Sequence, residues 1–160
     1  MNQRKKLMVI CFIFMVLSLI GFALIAGSTM NPSQYSGNGN FAILFTMPTV
    51  PIYLIFLYYL SRWVYKAING VSVKNRLTFL VCMAVVFVVL IFLEVRYIQN
   101  LVILLGGGPE SPESRIYRFG WYNQYTNTFY FNWITFCLGM IISVMISIGY
   151  SLIKKSSRNN

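Results

Sequence analysis

Histidine and aspartate are absent from all 160 residues, and three glutamates, Glu94, Glu110 and Glu113, supply all the acidic side chains. Without His or Asp, Ser–His–Asp triads, most general-base chemistry and nearly all metal sites are excluded. An enzyme is therefore not expected, and neither is a cofactor. Charged residues make up 10% of the chain, against roughly 25% in soluble domains. The three cysteines, Cys11, Cys82 and Cys137, each lie inside an apolar run and form no C-x-x-C pair. They read as small hydrophobes rather than as redox centres. No glycosylation sequon is present, because proline blocks Asn31-Pro32-Ser33.

What the chain has in place of charge is long apolar runs. The first, Leu7 to Ala26, holds 20 residues, and about 20 suffice for a helix to cross the hydrocarbon core. Three more cover residues 41–65, 77–97 and 131–153. The expected fold is an all-α integral membrane protein, with four transmembrane helices in one bundle over residues 1–160. The first run follows "MNQRKK" and precedes "AGS" at Ala26–Ser28, so a cleaved signal peptide is the competing reading. Its length exceeds the usual 7–15-residue signal core, and no lipobox cysteine follows.

Charge sets the orientation. Arg4, Lys5 and Lys6 precede span one; Arg62, Lys66, Lys74 and Arg76 separate spans two and three; Lys154, Lys155 and Arg158 follow span four. With four spans, these ten fall on one side. The other side carries Arg96, Arg115 and Arg118 against Glu94, Glu110 and Glu113, so the net charge of +10 belongs to one face. The positive-inside rule makes that face cytoplasmic, with both termini inside. Such a face also attracts anionic lipid headgroups, by about 1 kcal/mol per Lys or Arg. Topology accounts for these residues without a nucleic acid or an acidic protein partner.

Two outer connections remain. Residues 27–40, "GSTMNPSQYSGNGN", form an uncharged, turn-rich loop. Residues 99–130 are longer. Leu101–Leu105 either extends span three or lies along the outer interface, and Gly106-Gly107-Gly108-Pro109 stops any helix. Residues 118–133 then carry eight aromatics. Trp121, Tyr125 and Phe129 recur every four residues and share a side if that stretch is helical. The readings are an interfacial aromatic belt or an exposed recognition platform.

Inside the spans, Thr135, Gly139, Ser143, Ser147 and Ser151 are each four apart. Such a row of small residues lets two backbones approach closely in lipid; the alternative is a hydroxyl-lined solute pathway. Ser18, Gly21 and Ala23 are a weaker counterpart in span one. Pro48 and Pro51 interrupt span two, as a kink or a hinge, with Thr46 and Thr49 placed to satisfy the freed carbonyls. Glu94 follows the start of span three at Leu77 by seventeen residues, which is ~26 Å along a helix. It is then interfacial. If Leu101–Leu105 belongs to the span, Glu94 moves deeper and needs a partner from another helix. Arg96, two residues on, points elsewhere.

These features point to a non-enzymatic accessory, regulatory or immunity-type component acting with another membrane protein, or self-associating through span four. The alternative is a small homo-oligomeric transporter or channel using Glu94 and the hydroxyl row. The expected location is the plasma membrane, and the Ile, Asn and Lys usage fits a bacterium.

Overall fold

The computed structural model describes residues 3–34 and 39–156, for 155 and 156 the backbone alone. It is helical, with no strand among the described residues. Four long helices follow one another: α1 (Gln3–Gly27), α2 (Ile43–Ile68), α3 (Val73–Leu104) and α4 (Trp133–Ser156); a 3₁₀ turn at Asn127–Phe129 precedes α4. All four are long and apolar enough to cross a membrane.

The side-chain contacts give the helix directions. Ser143 bonds Leu57 and Ser147 bonds Ser61, both at a separation of 86 residues, so α2 and α4 run parallel. Glu94 meets Asn132 while Arg76 meets Ser151, so α3 and α4 run antiparallel. Phe14 stacks on Tyr59, and Phe22 lies against Tyr53, so α1 and α2 are antiparallel too. Direction therefore alternates along the chain. The start of α1, the α2–α3 turn and the end of α4 come to one end of the bundle. The basic residues of all three places lie there, except that Arg158 is outside the described residues.

In space the order is α1, α2, α4, α3, each packed on the next. The buried positions of α1 form one stripe: Cys11, Ser18 and Ile25 are seven apart, with Gly21 and Phe22 between the last two. Gly21 is needed there, because a Cβ would overlap the Thr49 side chain. The main core joins α1, α2 and α4 through aromatic rings. Phe22 and Phe136 have centroids 5.2 Å apart at 84°, and Phe56 stacks on Phe136 at 5.7 Å. By contrast α3 buries only Arg76, Leu90 and Glu94. Val81, Val85, Val88 and Phe92 line its bare flank.

α3 has 32 residues and so measures about 48 Å, longer than the ~30 Å hydrocarbon core. Leu101 and its neighbours thus continue the helix instead of lying beside it. The helix ends in a Schellman turn. Gly106 N donates to Ile103 O and Gly107 N to Val102 O, both at 3.0 Å, and Gly106 adopts φ +79°, which glycine accepts without strain.

Beyond α3 the chain folds into a small cap. Leu105, Ile116 and Tyr125 form its buried cluster, with Met30 and Leu101 against it. Asn40 and Asn127 exchange two amide bonds, at 2.8 and 2.9 Å. Tyr125 Oη donates to Gln34 O, and Met30 N to Gln124 O. The α1–α2 and α3–α4 connections are therefore joined, although residues 35–38 of the first lie outside the described residues.

Candidate functional site

Where α4 begins, Asn132 is the N-cap. Its Oδ1 accepts from the backbone N–H groups of Ile134 (2.7 Å) and Thr135 (3.0 Å), and Thr135 Oγ1 accepts from Asn132 N in return. This reciprocal arrangement satisfies orphan donors of the first turn. Asn132 Nδ2 then donates to Thr128 O at 2.8 Å and to both Glu94 carboxylate oxygens, at 2.9 and 3.0 Å. An amide has two hydrogens, so one is shared by the carboxylate. The positive end of α4 adds about 0.3–1 kcal/mol for an anion placed there.

Glu94 is thus level with the first turn of α4 and only 8% exposed. It is enclosed beside the N-cap of α4, against Asn132. Its partner comes from another element, as the longer α3 requires. Arg96 is exposed and lies over the Phe92 ring at 5.2 Å, on another side of α3.

Beside this pair lies a cavity of about 620 Å³, walled by Phe22 and Ala26 of α1, Tyr97 of α3 and Asn132, Ile134 and Phe136 at the start of α4. It occupies the gap left because α1 and α3 do not pack extensively on one another. Its wall is apolar apart from the Thr128–Asn132 edge and the Tyr97 hydroxyl.

The row of small residues in α4 divides by role. Gly139 lies against the Tyr53 ring, where a Cβ would collide with the hydroxyl. Tyr53 Oη itself donates to Phe136 O at 2.7 Å. Ser143 Oγ donates to Leu57 O at 2.7 Å; Ser147 Oγ lies 3.1 Å from Ser61 O, and the two serine hydroxyls are 2.8 Å apart. Interhelical bonds of this kind contribute about 0.6–2 kcal/mol each in lipid. The neighbour is α2 of the same chain. Thr135 serves the cap instead, and the Ser151 carbonyl accepts from Arg76 Nη1 of α3.

α2 stays helical through Pro48 and Pro51, and both prolines are on its exposed side. The carbonyls they leave free are those of Leu44 and Met47. Thr46 and Thr49 hydroxyls donate elsewhere, to Ala42 O and Phe45 O, so the expected rescue by those two threonines does not occur.

In the cap, Trp121 and Tyr125 are not on one helix face. Residues 121–126 form turns, and side chains explain why. Asn123 Oδ1 accepts from Tyr125 N and its Nδ2 donates to Gly120 O; Thr126 Oγ1 donates to Trp121 O and accepts from Asn123 N. These local bonds outcompete a helix. Tyr125 is therefore buried at 3% exposure, whereas Trp121 is 46% exposed. Tyr122 and Tyr130, with ring centroids 5.7 Å apart, border an open hollow of about 540 Å³ with Met47 and Phe131.

Asn132 and Arg76 escaped the reading of the sequence as sites. Asn132-x-x-Thr135 just before an apolar run is a helix-start signature. Arg76 looked like one more topogenic cation, yet it is 3% exposed. Its Nε donates to Val71 O and its Nη2 to Asn69 O. It ties the α2–α3 turn to the end of α4, and no spacing in the sequence marks that. Comparison of the chain with protein-family models, with curated proteins and with solved structures finds no match.

Proposed function

We propose that the chain is a non-enzymatic, multi-pass component of the plasma membrane. It acts with another membrane protein in an accessory, regulatory or immunity-type role. Its basic end faces the cytoplasm and its cap faces outward. The observation that carries this reading is the folded cap. The described residues of both outer connections join in one unit, and that unit exposes Trp121, Tyr122 and Tyr130 above a packed α1–α2–α4 core. Exposed aromatics around a shallow hollow are common at recognition surfaces. Within the hydroxyl row, Ser143 and Ser147 are bonded to α2, which supports a packing role for those two.

One observation favours a second reading, a small transporter: Asn132, whose amide holds Glu94, lines the 620 Å³ cavity between α1 and α3. A buried carboxylate in a membrane helix is costly and marks ion or solute pathways. Purification of the tagged chain in mild detergent separates the two. A stoichiometric foreign membrane protein, lost on Trp121→Ala with Tyr122→Ala, is the expected result. A homo-oligomer alone, with solute flux abolished by Glu94→Gln, overturns the accessory reading.

A further inference from the structure

Toward the basic end, the parallel helices α2 and α4 meet at the Ser61–Ser147 contact. A cavity of about 240 Å³ opens there, between Arg62 and Tyr65 of α2 and Tyr150 and Lys154 of α4. The positions are one to two turns apart on each helix, so each helix offers one face. The Tyr65 and Tyr150 rings are 5.5 Å apart, and the two bonded serines form the floor. One cation comes from each helix, and the lining holds no carboxylate. All three glutamates of the chain lie toward the other end. Ile146, also in the wall, and Tyr150 are exposed on the flank of α4, so the mouth opens sideways along the apolar surface as well as toward the end.

We infer that this cavity seats the headgroup of one anionic phospholipid. Guanidinium groups bind phosphate oxygens through paired donors, and an ammonium adds a point charge. Arg62 and Lys154 supply one of each to the phosphodiester. Tyrosines favour the layer where headgroup meets chain, and Tyr65 and Tyr150 offer hydroxyl donors there. An acyl chain then runs along Ile146. A zwitterionic lipid brings an ammonium for which the cavity has no acid. A soluble phosphate gains nothing from the sideways apolar mouth. The inference rests on the reading that the basic end lies in the headgroup layer, and it adds a fixed seat to a diffuse attraction.

The test is native mass spectrometry of the full chain, released from bilayers of mixed phosphatidylglycerol and phosphatidylcholine. The expected result is one phosphatidylglycerol retained per chain. Arg62→Gln with Lys154→Gln lowers that retention roughly a hundredfold, the loss of two charge-assisted bonds at the low end of their range. Lys5→Gln with Lys6→Gln removes equal charge from the same end but outside the cavity, and leaves retention unchanged. A thermal melt confirms that both variants are folded, and Arg62→Lys, which keeps the charge, loses part of the retention. Equal losses from both pairs, equal retention of phosphatidylcholine, or displacement of the lipid by inorganic phosphate each overturn the seat. So does a chain recovered in the membrane fraction without bound phosphatidylglycerol. Recovery in the soluble fraction overturns instead the membrane reading beneath it.

Discussion

A carboxylate enclosed by helices needs donors, and Glu94 has the Asn132 amide and the positive end of α4. Removing that amide has two costs. Loss of an N-cap typically costs about 1 kcal/mol. Leaving a buried, charged acceptor without its donor costs a further 1–3 kcal/mol or so. Asn132→Ala is therefore expected to lower the melting temperature in detergent more than a cap loss alone. Adding Glu94→Gln to Asn132→Ala recovers part of the loss, because a neutral amide is cheaper to strand than a carboxylate. Identical melts for the single and double variants would show that the pair is not coupled. Glu94 stood out in the sequence because acids are so scarce. Its partner did not, because Asn132 is one of several asparagines among aromatics, and only the fold brings it 2.9 Å from Oε1.

Among the helices, the α2–α4 contact is set by what α4 leaves out. Small side chains at four-residue steps let Ser143 and Ser147 reach the α2 backbone. Gly139→Ala places a methyl group into the Tyr53 hydroxyl, an overpacking that costs about 1–3 kcal/mol. Tyr53→Phe in the same chain removes the nearest atom. Unfolding in detergent should show the double variant to be more stable than Gly139→Ala alone, and a further loss would mean that the contact lies elsewhere. The row in α4 was legible because small residues are conspicuous in an apolar run. The matching surface of α2 was not, since beside Tyr53 and Ser61 it consists of the Leu57 and Ser61 carbonyls, groups that every helix carries. The spacing of Trp121, Tyr125 and Phe129 misled for a physical reason. Periodicity describes side-chain placement only once the backbone is helical, and Asn123 and Thr126 divert the backbone into turns.

Across the whole molecule, alternating helix direction gathers the basic residues at one end and the cap at the other. Four apolar runs and the distribution of Lys and Arg were enough to anticipate that arrangement. The cap was not legible, because its closure depends on single amide and hydroxyl bonds such as Asn40–Asn127. Orientation can be read with an impermeant maleimide after replacement of the three native cysteines. Glu113→Cys in the cap should label on intact cells, and Asn69→Cys in the α2–α3 turn only after the membrane is opened. The reverse pattern inverts the protein. The parallel pairing of α2 with α4 also sets a timetable. Ser143 and Ser147 lie 86 positions from Leu57 and Ser61, which they bond across that interface, and ribosomes add roughly 5–20 residues per second. For about 4–17 s after Leu57 and Ser61 are made, the face of α2 that will receive α4 is without it. The α1–α2 hairpin must hold itself together over that interval on the Gly21–Thr49 and Phe22–Tyr53 contacts. The α3–α4 hairpin then arrives as a second unit, so the molecule is built in two halves that meet late, and the α2–α3 turn is the natural place to divide it.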